Sequence, residues 1–164
     1  MVKIRQILDY RSAMAIICAA ICTFCLLKYF QPAEAIQYDI TGNLSIPSID
    51  LKSDVAGLSL EDGKLDTPKY IVGSYTKHKN TTLLIGHSNT VFSDLKNVQI
   101  GEKVIYNNAI YNIYKSEVAE KTSIVMKDLL SENETDTLIL MTCHGQLYGD
   151  GDASHRLLIF ASRV

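Results

Sequence analysis

Charged and apolar positions divide this chain into two unequal parts. Residues 12–27 carry no charge, with Lys3, Arg5 and Arg11 before them and Lys28 after. These sixteen residues fall short of the ~20 that span a bilayer as a helix. A snorkelling Lys28, followed by Tyr29 and Phe30, extends the span to an adequate length. The basic flank predicts the N-terminus inside and the rest of the chain outside. Ala33-Glu-Ala35, after Pro32, also fits a small-x-small cleavage site, so a removed leader is the competing reading.

Beyond residue 36 the apolar positions come in short runs separated by Gly, Asn, Asp and Ser. They predict strands over residues 44–46, 51–55, 70–72, 82–85, 104–106, 109–114, 117–124, 138–142 and 157–161. Residues 104–114 alternate on both sides of Asn107-Asn108, the pattern of a two-residue hairpin turn. Helical spacing is confined to residues 91–97, where Phe92 and Leu95 share a face, and to residues 126–132. Many short strands and few helices predict an all-β domain, an antiparallel barrel or sandwich.

At 164 residues, the chain holds one such domain beside its N-terminal segment. Residues 1–35 are assigned to a basic cytoplasmic N-terminus, an anchor and a linker, and residues 36–164 to an extracytoplasmic domain. That domain carries 12 Lys/Arg against 16 Asp/Glu. With no basic stripe and no metal-type cysteine pairs, nucleic-acid binding is not indicated.

Cysteine usage sharpens the picture. Of the four cysteines, Cys18, Cys22 and Cys25 fall in the N-terminal segment, leaving Cys143 as the lone thiol of the domain. It has no internal disulfide partner, so it is either buried filler or a reactive group. It ends the run Thr137-Leu-Ile-Leu-Met-Thr-Cys143 and precedes a Gly/Asp-rich loop, which predicts a sulfur presented at a strand end. Nucleophilic chemistry at a thiol also needs a proton carrier and a donor to the oxyanion. His87 ends its own run, Thr81-Thr-Leu-Leu-Ile-Gly-His87. His144 adjoins Cys143 and points to the opposite face if the strand continues. His78 lies in a lysine-flanked polar stretch and reads as surface. Arg156 opens the last run, and His155 before it faces the other way. The bland reading of Arg156 is an ion pair with Asp150 or Asp152.

The order of these pieces resembles the sortases, cysteine transpeptidases that attach proteins to Gram-positive cell surfaces. Leu140-Met-Thr-Cys143 matches the family's Leu-x-Thr-Cys run, Gly86-His87 its upstream Gly-His, and Arg156 its downstream arginine. Leu44-Ser-Ile-Pro-Ser-Ile-Asp-Leu51 is similar to the family's Ile-Pro-x-Ile opening strand, and Ile100-Gly-Glu-Lys to its Leu-x-x-Gly-Asp turn. The chain departs from the pattern in Ile139, in the thirteen-residue step from Cys143 to Arg156, and in lacking tryptophan. These departures bear on subclass, for which a D-, E- or F-like type is the nearest.

The resemblance implies a closed antiparallel barrel of about eight strands, preceded by a transmembrane helix retained as a single-pass anchor. It implies Cys143 as nucleophile, His87 as acid and base, Arg156 as oxyanion donor and Thr142 as a substrate-binding neighbour. Partners would be secreted proteins with a C-terminal Leu-Pro-x-Thr-Gly-like sorting signal and an amine acceptor, a peptidoglycan precursor or a pilin. No cofactor is expected. Glu61, Asp62 and Asp66 share one loop where calcium could bind, but an exposed acidic turn is the reading they favour. The alternatives are another wall-acting cysteine transpeptidase or peptidase, and an anchored barrel that only binds. L,D-transpeptidases place arginine two residues after the thiol, and papain-like enzymes run Cys before His; neither matches this order.

Overall fold

The computed structural model describes Met14 and residues 37–61, 64–148 and 152–164. The expected anchor over 12–27, Cys18, Cys22, Cys25, the Ala33-Glu-Ala35 site, Asp62 and Asp150 lie outside the described residues. Among the described residues no helix is long and apolar enough to cross a membrane. Tyr38–Val164 is one compact unit.

Its strands are β1 (Ile40–Ile46), β2 (Leu51–Gly57), β3 (Leu60–Glu61), β4 (Lys64–Leu65), β5 (Val72–His78), β6 (Thr81–Ile85), β7 (Lys103–Tyr106), β8 (Ala109–Glu120), β9 (Thr137–Leu147) and β10 (Ala153–Arg163). Eight of them close a barrel in the order β1-β2-β5-β6-β9-β10-β8-β7, and β7 returns to β1. β3 and β4 form a separate hairpin. The closed eight-strand barrel is as expected, but its directions are mixed rather than wholly antiparallel. β2 pairs with β5, and β6 with β9, in parallel. A parallel neighbour requires a long crossover, and the connections 58–71 and 86–136 supply them.

Strand boundaries also differ from expectation, for reasons of backbone pairing rather than side-chain pattern. The run over 70–72 begins as a strand only at Val72 and continues through the polar Thr76-Lys77-His78, because Thr76 and His78 pair with Thr82 and Thr81 of β6. The runs 109–114 and 117–124 are one strand, β8, which ends at Glu120; its middle residues Lys115 and Ser116 pair with Phe160 and Ile159 of β10. The helix expected over 91–97 is a series of turns closing in a 3-10 turn at Leu95–Asn97. That over 126–132 shortens to α1 (Met126–Leu129).

Burial explains the longest apolar run. Leu138 and Leu140 point into the barrel with Leu44, Leu84 and Ile159. Ile139 points outward and joins Leu83, Leu130 and Leu158 in a second cluster. With both faces of β9 covered, its sequence is continuously apolar instead of alternating. The Asn107-Asn108 turn is as the pattern predicts, with φ of 49° and 64°, the left-handed pair that a type I′ hairpin requires. Two other motifs meet in space. Ser48, in the Ile-Pro-Ser-Ile turn, donates to Glu102 Oε2 at 2.6 Å, tying the opening strands to the Ile-Gly-Glu turn before β7.

Candidate active site

β6 brings His87 to the barrel rim. The strand ends at Ile85, and Gly86 N donates to Met141 O at 3.2 Å as the last link to β9. The chain then turns sharply, with Thr90 N and Phe92 N donating to His87 O at 3.2 and 3.0 Å. Phe92 is driven into the core by this turn. A Cβ on Gly86 would lie 2.6 Å from Phe92 Cδ2 and 2.7 Å from Val91 Cγ1, so only glycine leaves room for the turn beneath His87.

β9 delivers the thiol, but not at its end. The expected strand over 138–142 extends to Leu147, and Cys143 sits within it. Likewise β10 starts at Ala153, three residues before Arg156. β9 and β10 pair beyond the point where β6 stops, with β8 still alongside β10 as far as His155. Cys143 lies just past that point and is half-buried. Its direct cross-strand partner is Arg156, and directly opposed residues share a face. His155 is opposed to His144 instead. The 4%-exposed Thr142 donates from Oγ1 to Gly86 O at 2.7 Å. That bond joins the strand of the thiol to the strand of the imidazole.

These side chains border one cleft of about 520 Å³. His87, Cys143, Thr142 and Arg156 line it with Ile85 and Met141 of the outer barrel face. The β3–β4 hairpin contributes Leu60 and Leu65, and the β8–β9 connection contributes Met126, Lys127 and Leu130. The cleft is thus an apolar trough with a thiol, an imidazole and a guanidinium among its walls.

Arg156 is held from several directions. Its Nη1 donates to Ala153 O at 2.9 Å and to His155 O at 3.0 Å. Its Nη2 donates to Asp152 Oδ1 at 2.6 Å. The ion pair with Asp152 and a place in the cleft, alternatives at the level of sequence, are both present. Asp152 also receives Lys121 Nζ. Lys121 first, then Arg156 and the Ala153 N–H, hold the Asp152 carboxyl well below the usual carboxylate range.

His87 Nε2 faces Thr67 O at 3.3 Å. A carbonyl only accepts, so this contact places a proton on Nε2 and leaves Nδ1 for exchange. The Thr67 segment is in turn fixed by Thr90 Oγ1, which donates to Lys69 O at 2.6 Å. Neither Thr67 nor Lys121 stood out in the sequence: one acts through its backbone, and the other is one lysine among many. His144 lies outside the main cleft and borders a smaller pocket of about 270 Å³ with Ser88 and Lys96, reached from the other side of Cys143. Among the described residues no group of three or more His, Cys, Asp or Glu is arranged to hold a metal ion.

Residues 44–164 match the family model of the Sortase domain. The chain belongs to the sortase family. Solved structures agree in fold. Sortase C1 from Streptococcus suis is 26% identical with a TM-score of 0.61, over 77% of this chain and 74% of that one. Sortase C from Clostridium perfringens SM101 is 23% identical with a TM-score of 0.60, over 79% and 72%. Sortase A from Listeria monocytogenes is 14% identical at 0.60, over 76% and 87%. No curated protein sequence matches the chain. Neighbours of both A and C type leave this sortase unassigned to a subclass, while family membership implies cysteine transpeptidase chemistry.

Proposed function

We propose that this sortase cleaves a C-terminal Leu-Pro-x-Thr-Gly-like sorting signal and transfers the protein to an amine on the cell surface. The observation that carries this reading is the cross-strand pair of Cys143 and Arg156 on the face of a cleft that His87 also borders. The apolar walls from Leu60, Leu65, Ile85 and Met141 suit a Leu-Pro segment laid along the trough.

The Cys143 thiolate attacks the Thr carbonyl carbon. The oxyanion forms beside the Arg156 guanidinium, which is always charged and directional. The intermediate collapses with loss of the Thr–Gly C–N bond, and His87 as imidazolium gives its proton to the departing glycine amine. A thioester remains on Cys143. The incoming amine then passes a proton to His87 as it attacks the thioester, regenerating the thiolate and forming a new amide. The acceptor is a peptidoglycan precursor or a pilin amine. The N-terminal segment anchors the enzyme in the membrane, with the barrel outside. Cys143, His87 and Arg156 are the residues assigned to the reaction, with Thr142 supporting the first two.

The test is incubation of the full-length protein in detergent with a Leu-Pro-x-Thr-Gly peptide and triglycine. A product in which triglycine replaces the residues after Thr supports transpeptidation. An intact peptide would favour a barrel that only binds, and cleavage at other bonds would favour a different wall peptidase.

A further inference from the structure

The catalytic arginine of this reading has a carboxylate behind it, and that carboxylate has a second cation. Arg156 is largely buried, with 15% of its side chain exposed. A guanidinium offers five N–H donors. Ala153 O, His155 O and Asp152 Oδ1 take three of them, so two have no partner among the described residues. The three bonds fix the plane of the group, and the two remaining donors are what a substrate carbonyl can use.

A carboxylate alone in this position would be counterproductive. Pairing Arg156 with Asp152 neutralises the charge meant to meet the oxyanion. Lys121, on the opposite side of the same carboxylate, restores a net single positive charge to the trio. Lys121 belongs to the short turn Lys121–Ser123 that opens the β8–β9 connection, the same connection that carries Met126, Lys127 and Leu130 into the cleft. Asp152, in turn, stands at the start of β10. The trio therefore ties the start of β10 to the connection that lines one side of the cleft, through the arginine's own anchor.

We propose that Asp152 is a positioning residue that orients the Arg156 guanidinium toward the substrate carbonyl, with Lys121 offsetting its charge and coupling it to the cleft wall. This rests on the sortase reading of Arg156. Asp152 touches no substrate; it acts through Arg156. Misplacement of a catalytic group by about 1 Å costs roughly a hundredfold, so loss of the anchor shows in turnover rather than in binding. Lys121 is about half exposed, and a screened pair contributes less.

Two readouts on the full-length protein test this. The first is the rate at which phenylglyoxal modifies Arg156, read by peptide mass with Arg163 as internal reference; it needs no substrate. Asp152→Ala is expected to raise the Arg156 rate several-fold relative to Arg163, and Asp152→Asn, which keeps an acceptor, to raise it less. The second is sorting-peptide kinetics. Asp152→Ala is expected to lower kcat at least tenfold with KM within twofold, Asp152→Asn to recover part, and Lys121→Met to lose only a few-fold. In an Arg156→Ala background, Asp152→Ala is expected to add nothing. Unchanged Arg156 labelling in Asp152→Ala, or a full additional loss in the Arg156→Ala background, overturns the proposal. A wild-type enzyme inert toward the peptide would instead overturn the substrate reading, and the labelling ratio would still decide the role of Asp152.

Discussion

Thr142 Oγ1 donates to Gly86 O at 2.7 Å, and both groups are buried where β6 gives out. Backbone pairing between these strands ends with Gly86 N donating to Met141 O, and this side-chain bond adds one further link between the His87 segment and the Cys143 strand. Thr142→Val keeps the shape but leaves the Gly86 carbonyl unsatisfied, which costs about 1–3 kcal/mol. Denaturant unfolding is expected to show that loss, and Thr142→Ser to recover most of it. An unchanged midpoint in Thr142→Val would remove the bond from the account.

Arg156→Lys preserves the charge but not the fork. A single ammonium cannot satisfy Asp152, Ala153 O and His155 O while also meeting a substrate carbonyl. The expected loss is on the order of a hundredfold in kcat, as for removal of one oxyanion donor, with Cys143 alkylation little changed. His155, opposed to His144 rather than Cys143, is expected to tolerate Ala. A dead His155→Ala enzyme would place the reactive face on the wrong side of β10.

The barrel also carries a titratable contact away from the cleft. Tyr111 is buried and donates from Oη to Asp136 Oδ2 at 2.9 Å. Burial, then the Asp136 bond, pushes its pKa up to about 12. The raised value means the folded state keeps a proton that the unfolded chain releases above about pH 10. This contribution is therefore fully present below pH 10 and is lost as pH rises toward 12. Tyr111→Phe is expected to flatten that part of the alkaline unfolding curve; an identical curve would assign the loss to other groups.

An anchored enzyme would retain its N-terminal segment. Intact mass of material extracted from membranes is expected to match the full chain. A species starting at Ile36 would instead identify Ala33-Glu-Ala35 as a cleavage site.

Much of the barrel is legible in the sequence because burial leaves a periodic trace. Leu138, Ile139 and Leu140 announce a strand, which proves to be covered on both faces, and Asn107-Asn108 announces the left-handed turn that the backbone adopts. The parallel junctions leave no such trace, since strand direction is set by crossover length rather than by side chains. Nor does the extension of β9 past Cys143: residues 144–146 are polar or small, Leu147 is exposed, and the pairing there rests on backbone bonds and on Gln146 N donating to Ser154 Oγ. This is why Cys143 reads as a strand end and is found inside a strand. Cys143, His87 and Arg156 stand out because each adjoins an apolar run. Thr67 contributes a carbonyl, and a carbonyl has no letter in the sequence.

The proposed reaction requires that Cys143 carry the acyl group. Its most direct measurement is the intact mass of the full-length protein after mixing with a Leu-Pro-x-Thr-Gly peptide and no amine acceptor. The expected result is an adduct equal to the fragment ending in Thr, mapped to Cys143, released by hydroxylamine and absent in Cys143→Ala. Peptide cleavage with no adduct at Cys143, or a Cys143→Ala variant keeping even about a tenth of wild-type turnover, would contradict covalent catalysis by this thiol.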